Sequence, residues 1–218
     1  MRFFALLCMC LFSCATVAWA DDALLPGPLD FTVHKLDSGV EGETLLVVGG
    51  IQGDEPGGFN AASLLVSHYD ILSGSVWVVP NLNFISIIKS DRGIYGDLNR
   101  KFSSLGASDP EYDVIREIKS LITDDSVDVV LNLHDGWGFY RPEFQDDAHC
   151  PARWGQSVII DQARIDSDVY GDLQAIAEQV VAAVNARLYK DAHIYHVQNT
   201  HTRAGALAMA KPMTYYAL

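Results

Sequence analysis

The segment "TLLVVG" at residues 44–49 is followed at once by the glycine-rich turn "GIQGDEPGG" at residues 50–58. A short run of apolar residues like this one predicts a buried strand. Pro56 stands where the first turn of a helix tolerates proline, and the apolar spacing of "PGGFNAASLLVSHYDIL" is helical. The segment therefore predicts a strand, a tight turn and a helix, with the polar residues Gln52 and Glu55 in the turn.

The alternation of strand and helix continues along the chain. "SVWVV" at residues 75–79 predicts a second strand, and "VDVVLNL" at residues 127–133 predicts a buried third strand. Strands that alternate with helices indicate an α/β fold with a mixed, largely parallel sheet sandwiched between helices. The other predicted elements are helices at 109–123 and 168–189 and short strands at 157–160 and 193–197.

Two segments between these elements lack a regular pattern. Residues 81–108 are rich in Asn, Asp, Gly and Arg and are predicted to form a long loop, and residues 136–156 carry aromatic side chains at irregular spacing. Long irregular segments in compact domains are usually functional or disordered. The tail at residues 205–218 is predicted to begin a helix that has no C-terminal cap.

The first twenty residues have the composition of an export signal. Arg2 gives a short positive region, "FFALLCMCLF" an apolar region, and "AWA" before Asp21 a cleavage pattern of small residues. Cleavage after Ala20 would leave residues 21–218 as one domain and place it in the periplasm. Two alternatives stay open: a membrane anchor, which needs about 20 apolar residues, or a lipoprotein attached through Cys14.

The charge of the chain restricts its partners. The formal net charge is −13, and loss of Arg2 with the signal changes it to −14. Such an acidic protein is not expected to bind nucleic acid or an anionic lipid surface. The mature chain would keep only Cys150, which excludes an intramolecular disulfide, and no stable membrane span is expected after signal removal. If an acidic protein binds an anionic substrate, some of its few arginines must lie at the binding site. Arginines near a candidate site therefore indicate where such a substrate binds.

Three polar side chains that follow predicted strands form a candidate metal site. Ligands of open α/β sheets bind beyond the carboxyl ends of the strands, where Gln52 and Glu55 follow one strand and His134 follows another. A catalytic zinc ion takes three protein ligands and leaves one position open for water. Glu55 and His134 are usual ligands, and Gln52 can add a weaker third through its amide oxygen. Each residue alone is more often an ordinary polar residue, so the hypothesis depends on their shared location.

The loop "KSDRGIYGDLNRKF" at residues 89–102 supplies positive charge near that edge. Arg92, Asn99 and Arg100 could grip a carboxylate, because guanidinium presents paired donors that match its two oxygens. An arginine close to a metal ion can also stabilise the oxyanion that develops when an amide carbonyl is attacked. On composition alone, a charged surface loop is an equally good interpretation.

The motifs "GGIQGDEPGG", "DLNRKF" with its preceding arginine, and "LNLHDG" occur in this order in the chain. Together they resemble the funnel-type zinc carboxypeptidases of the carboxypeptidase A superfamily, whose pattern is H-x-x-E, an arginine, an Asn-Arg pair and a distant histidine. Glutamine replaces the first histidine, as in the branch of cell-shape-determining D,L-carboxypeptidases that trim peptidoglycan tripeptides. The resemblance covers most of residues 43–218.

The resemblance implies a role for each candidate residue. The zinc ligands would be Gln52, Glu55 and His134. Arg92 would polarise the scissile carbonyl and stabilise the oxyanion, while Asn99 and Arg100 would hold the terminal carboxylate of the substrate. The implied partner is a peptidoglycan stem peptide, a muramyl tripeptide cleaved between D-glutamate and meso-diaminopimelate to leave a dipeptide.

The resemblance also raises an expectation about the length of the chain. The general base of the family is a glutamate on a late strand, and no acidic residue follows His201. We therefore expect a fragment truncated at its C-terminus, without the general base and the small β-domains of such relatives, and with poor turnover.

Two other functions stay open at this point. The aspartoacylase and succinylglutamate desuccinylase branch shares the glycine-rich turn and the "DLNR-F" loop, but its members generally keep the first histidine and work in the cytoplasm. A non-catalytic module could instead use Arg92, Asn99 and Arg100 to hold peptidoglycan stems.

Overall fold

The structure, a computed structural model, describes residues 30–103, 105–200 and Met213. The strands are β1 (His34–Asp37), β2 (Thr44–Gly49), β3 (Ser75–Val79), β4 (Val129–Leu133), β5 (Phe139–Tyr140), β6 (His149–Cys150), β7 (Ser157–Ile160) and β8 (His196–Asn199). The helices are α1 (Pro56–His68), α2 (Phe84–Lys89), α3 (Tyr112–Ile122) and α4 (Leu173–Asn185), with short 3-10 helices at Leu98–Arg100 and Asp191–His193. The main sheet has the order β1, β3, β2, β4, and two smaller sheets pair β5 with β6 and β7 with β8.

β2 lies inside the main sheet and sets its parallel character. β3 and β4 pair with β2 in parallel on its two sides, and β1 pairs with β3 in the antiparallel direction. Val48 of β2 is level with Val79 of β3, and Gly49 of β2 is level with Leu133 of β4. The carboxyl ends of the three parallel strands therefore meet at one edge of the sheet. The predicted mixed, largely parallel sheet is confirmed.

Alternate side chains of β2 pack on opposite faces of the sheet. Leu46 and Val48 are buried in one apolar cluster with Ile118 of α3, and Val47 is buried in a second cluster with Ala62 of α1. Full burial of a Leu, Ile or Val side chain contributes about 2 kcal/mol. Helices thus cover both faces of the sheet, and the prediction of a sheet between helices is confirmed.

Three strand predictions were accurate, whereas those for the two outer strands of the main sheet were not. β2, β3 and β7 lie where they were predicted. The prediction that β4 is buried is wrong in part, because Val129 and Leu131 are 38% and 42% exposed. β4 is the outermost strand of the described sheet, so described residues cover less of it. β1 was not predicted, because its sequence "HKLD" is short and mostly polar.

The prediction of one long loop at residues 81–108 is wrong. α2 lies within this segment, and the Asn83 side chain accepts a hydrogen bond from the Ser86 amide, which caps the first turn. The 3-10 helix Leu98–Arg100 follows, and the Asp97 side chain caps it. Helices of six and three residues are too short to show a helical period in the sequence.

The helices predicted at residues 109–123 and 168–189 begin later than expected. α3 begins at Tyr112, because Asp109 lies in the preceding turn, where its carbonyl oxygen accepts a hydrogen bond from the Tyr112 amide. α4 begins after Asp172, whose side chain accepts a hydrogen bond from the Ala175 amide at 3.0 Å. α4 ends at Asn185, so it is shorter than the predicted helix at residues 168–189.

The later part of the chain contains more strand than the sequence indicates. β5 and β6, two residues each, pair in parallel within the segment predicted to be irregular. The strand predicted at residues 193–197 lies at His196–Asn199 instead, because a 3-10 helix occupies Asp191–His193.

Some predictions concern parts of the chain that the structure does not describe. The export signal at residues 1–20 lies outside the described residues, and so does the predicted helix at residues 205–218 apart from Met213. Within the part of the chain that is described, no helix is long and apolar enough to cross a membrane.

Candidate metal and substrate site

The candidate site lies where the turn after β2 meets the end of β4. A Cβ atom added at Gly58 would lie 2.5 Å from the carbonyl oxygen of Leu133, so only glycine lets the start of α1 approach β4 this closely. Glu55 directly precedes α1, and His134 directly follows β4. The close approach of these two elements brings the two side chains together.

Glu55 and His134 are in direct contact. The Oε2 atom of Glu55 lies 2.7 Å from Nδ1 of His134, and it also accepts a hydrogen bond from the Asp135 amide at 3.2 Å. Burial raises the pKa of Glu55, but the hydrogen bonds that it accepts from His134, the Asp135 amide and Arg92 outweigh burial and hold the pKa below its ordinary value. The carboxylate is therefore ionised at neutral pH.

Arg92 joins two carboxylates at the mouth of the site. Its Nη1 atom donates to Oε1 of Glu55 and its Nε atom donates to Oδ2 of Asp97, both at 3.0 Å. Burial lowers the pKa of Arg92, but the negative charges of Asp97 and Glu55 raise it by more. The side chain is 48% exposed, so a fixed positive charge remains accessible to a substrate.

Gln52 is buried and its amide is held in one direction. Its Nε2 atom donates a 2.8 Å hydrogen bond to Oδ1 of Asp97, and a carboxylate can only accept. The amide nitrogen must therefore face Asp97. Oε1, the other end of the amide, is buried and has no hydrogen-bond partner among the described residues. A buried oxygen of this kind is available to a cation.

These donors fit a divalent metal ion. Within the described residues, no three His, Cys, Asp or Glu side chains gather as a metal ion would need. The candidate set of Glu55, His134 and Gln52 differs from such a group because its third member is an amide oxygen. Carboxylate and imidazole are usual zinc ligands, and the unpartnered amide oxygen supplies the remaining lone pair.

Asn99 and Arg100 lie on opposite sides of the 3-10 helix Leu98–Arg100. Asn99 is buried, its Nδ2 atom lies 3.5 Å from Nε2 of His134, and its Oδ1 atom accepts a hydrogen bond from the Met213 amide. Arg100 is exposed, and its Nη1 atom donates to the Asn99 carbonyl oxygen. The structure therefore brings Asn99 against the site and leaves Arg100 at the surface next to it.

Two residues of the site were missed by sequence reasoning. Asp97 bridges Gln52 and Arg92, and Asn132 places its Nδ2 atom 2.7 Å from Nε2 of His134. The sequence holds a signal for Asn132, because side chains two positions apart share a face of a strand and His134 follows β4 at that spacing. The bridging role of Asp97 has no local signal beyond its place in "DLNR".

Comparisons with known proteins show the family of the chain. Over residues 27–218 the chain matches the family described as carboxypeptidase controlling helical cell shape, catalytic. The product-bound cell shape determinant protein Csd4 from Helicobacter pylori is 43% identical with a TM-score of 0.80, and the match covers 86% of this chain and 46% of that chain. The tripeptide-bound form has the same identity and TM-score and is covered to 47%. The mDAP-bound form of Csd4, described as a D,L-carboxypeptidase, is 48% identical with a TM-score of 0.76, over 80% of this chain and 42% of that one.

The matches cover most of this chain but less than half of the solved structures. The chain spans less than half the length of the Helicobacter pylori protein in these structures. No match is found among curated protein sequences. The family match, by contrast, extends over most of the chain, including every candidate site residue. The chain belongs to the family of carboxypeptidases that control helical cell shape.

Proposed function

We propose that this protein is a zinc-dependent D,L-carboxypeptidase of the periplasm, which removes meso-diaminopimelate from a muramyl tripeptide of peptidoglycan and leaves a dipeptide. The family, and the tripeptide-bound and mDAP-bound forms of the Csd4 protein, support this substrate class. The observation that carries the proposal is the contact between Glu55 and His134, together with the buried, unpartnered amide oxygen of Gln52.

Three side chains would hold the zinc ion: Gln52, Glu55 and His134. A bound zinc ion supplies Lewis acidity towards the scissile carbonyl and lowers the pKa of a water molecule at the site. Asp97 keeps Oε1 of Gln52 pointing away from itself, because it binds the amide nitrogen. A neutral amide oxygen is a weaker donor than imidazole, so we expect weaker metal retention than in relatives with a histidine.

Arg92 would stabilise the negative charge that develops on the carbonyl oxygen of the substrate. Its guanidinium is charged, half exposed and restrained by two carboxylates, so little reorganisation is needed during the reaction. Preorganised donors of this kind contribute about 10²- to 10³-fold to kcat.

Asn99 and Arg100 would bind the terminal carboxylate of the stem peptide. Arginine has five N–H donors, and one of those on Arg100 binds the Asn99 carbonyl oxygen. This bond directs the guanidinium along the loop that contains Asn99, and the remaining donors can form paired hydrogen bonds to a carboxylate. Arg100 would supply the cation that an anionic substrate needs on a chain with a net charge of −13.

Export to the periplasm forms part of the proposal. The composition of residues 1–20 supports an export signal, and the proposed substrate lies outside the cytoplasm. Mass spectrometry of the protein purified from cells tests this directly: a mature chain beginning at Asp21 is expected, and an intact N-terminus at Met1 would contradict it.

Substrate cleavage is the direct test of the activity. The full-length protein loaded with zinc is incubated with muramyl tripeptide and, separately, with N-acyl amino acids, and products are followed by mass spectrometry. Release of meso-diaminopimelate is expected from the tripeptide only. Cleavage of the N-acyl amino acids instead would indicate a desuccinylase or aspartoacylase activity, and cleavage of neither would indicate a binding module.

Arg92→Ala should lower kcat on the tripeptide by about 10²- to 10³-fold, because it removes the charge that stabilises the oxyanion. Arg164→Ala is the matched control, since Arg164 forms an ion pair with Asp172 at the start of α4. The control should keep wild-type kcat. An Arg92→Ala protein with unchanged kcat would contradict the role given to Arg92.

A further inference from the structure

Asn132 belongs to the site but has no role in the function proposed above. It lies on β4 two residues before His134, on the same face of the strand. Its Nδ2 atom lies 2.7 Å from Nε2 of His134, and its Oδ1 atom is buried without a hydrogen-bond partner among the described residues. Besides Gln52 Oε1, no other buried side-chain nitrogen or oxygen of the described chain lacks a partner.

The two nitrogens of His134 face different partners. Nδ1 faces the Glu55 carboxylate and Nε2 faces the Asn132 amide. In the arrangement observed, the Asn132 N–H group donates to Nε2, so the ring carries its proton on Nδ1 and donates it to Glu55. A protonated Nδ1 has no lone pair for a metal ion. The arrangement that binds metal through Nδ1 therefore requires the proton on Nε2 and an acceptor opposite it.

We propose that Asn132 is a positioning residue that selects the metal-binding tautomer of His134. Rotation of its amide by half a turn puts Oδ1 where Nδ2 now lies, and there it accepts the N–H of Nε2. The ring keeps one proton, which moves from Nδ1 to Nε2 by exchange with water. Nδ1 would then keep the lone pair that a metal-binding histidine needs.

Asn99 cannot take this role, although it also lies near Nε2. Its Nδ2 atom is 3.5 Å from Nε2, beyond the usual hydrogen-bond range. Its Oδ1 atom already accepts a hydrogen bond from the Met213 amide, which fixes the amide with its nitrogen towards His134. Asn132 has no such restraint on its oxygen, so it can rotate and present an acceptor.

The inference rests on the proposed metal site, and two variants separate it from that proposal. Asn132→Leu removes the amide while keeping a side chain of similar size, and Asn132→Asp keeps an acceptor that cannot donate. Zinc affinity of the full-length protein is measured by competition with a chromophoric chelator. The tautomer of His134 is read from nitrogen-15 NMR of the histidine rings in the zinc-free and zinc-loaded states, with the signal assigned by its loss in His134→Gln.

Asn132→Leu should weaken zinc binding about 10- to 100-fold, the usual effect of removing the partner of a metal-binding histidine. Asn132→Asp should bind zinc about as tightly as the wild type and hold the proton on Nε2 even without zinc. Wild-type affinity in Asn132→Leu, or loss of affinity in Asn132→Asp as large as in Asn132→Leu, would overturn the inference. If Asn132→Leu does not fold, Asn132→Asp alone decides.

Gln198→Leu is the matched control. Gln198 and His196 form the same pair of amide and imidazole Nε2, at 2.9 Å and the same spacing, on strand β8 of a different sheet. Gln198→Leu should leave zinc affinity unchanged, and an equal loss there would overturn the assignment to Asn132. If the wild-type protein binds no zinc, the proposed metal site itself is overturned. If the wild-type protein and Asn132→Leu both bind zinc with the same affinity, only the role given to Asn132 is overturned.

Discussion

Two clusters of polar side chains in the described part of this protein each have buried members, and they differ in how completely their hydrogen bonds are satisfied. The first, the Lys101 cluster, consists of Asn83, Lys101, Asp109 and Glu111. Lys101 donates to both Asp109 oxygens and, at 2.6 Å, to Glu111. Asn83 donates to the other Glu111 oxygen at 3.1 Å. Both carboxylates of the cluster are thus fully engaged.

The second, the site cluster, consists of Gln52, Glu55, Arg92, Asp97, Asn132 and His134. Its charged groups are also paired, at 2.7 to 3.0 Å, but the amide oxygens of Gln52 and Asn132 are buried without a partner among the described residues. An unsatisfied buried acceptor costs about 1 to 3 kcal/mol. The comparison indicates that the Lys101 cluster serves the fold alone, whereas the site cluster is arranged for a ligand that the protein does not supply.

The largest expected effect is on the stability that the Lys101 cluster provides. Lys101→Met leaves Glu111, which is 1% exposed, without its cation. Removing one member of a buried ion pair costs about 3 to 5 kcal/mol, so the free energy of unfolding in urea should fall by about 3 kcal/mol or more. Lys89→Met, an exposed lysine at the end of α2, should change it by less than about 0.5 kcal/mol. Equal losses in the two variants would remove the distinction between the clusters.

A smaller effect is expected on zinc affinity when Asp97, which links Gln52 and Arg92 in the site cluster, is replaced. Asp97→Asn has one acceptor atom where the carboxylate has two, so it must lose either the hydrogen bond from Arg92 or those from Gln52 and the Asn99 amide. Its uncharged oxygen also binds the Gln52 amide less strongly than a carboxylate does. Zinc affinity should fall about 10- to 100-fold, as measured by chelator competition.

Asp91→Asn provides the control for this change. Asp91 lies in the same loop, and its carboxylate accepts a hydrogen bond from the Gly93 amide. Asp91→Asn should leave zinc affinity as in the wild type. Unchanged affinity in Asp97→Asn would contradict the view that Asp97 orients Gln52.

The smallest expected effect is on how the free energy of unfolding depends on pH, because the two clusters contribute to it with opposite sign. Burial raises the pKa of Glu111 above its ordinary value, whereas the contacts of Glu55 hold its pKa below. Glu55 binds fewer protons when folded than when unfolded, so its stabilisation is present above about pH 4.5 and is lost as the pH falls through the folded pKa. Glu111 binds more protons when folded, so its contribution declines as the pH rises from about 4.5 through its folded pKa.

Urea unfolding of the zinc-free protein between pH 3 and 6 checks this contrast. Glu55→Gln should reduce the loss of stability on acidification, and Glu111→Gln should increase it. If both variants reduce, or both increase, the loss of stability on acidification, the predicted difference between the two clusters is wrong.

Much of the fold could be predicted because its signals are local. The buried run of β2, the glycine-rich turn and Pro56 specify a strand, a turn and a helix within 15 residues, and β2, β3 and β7 lie as predicted. Some errors occurred where a capping side chain, and not the spacing of apolar residues, sets the start of a helix. Asn83 before α2 and Asp172 before α4 are examples. The partial exposure of β4 could not be predicted, because it depends on which strand ends the sheet.

For the site, the sequence by itself determined which residue types stand at the strand ends. Gln52 and Glu55 follow β2 and His134 follows β4, and parallel strands bring their carboxyl ends to one edge. Only the tertiary structure decided which atoms meet. Glu55 and His134 are 79 residues apart, and Gln52 and Asp97 are 45 apart, so no local pattern records that either pair of side chains meets. The contact between Glu55 and His134 depends on the close approach of α1 to β4, which is a property of the packed chain.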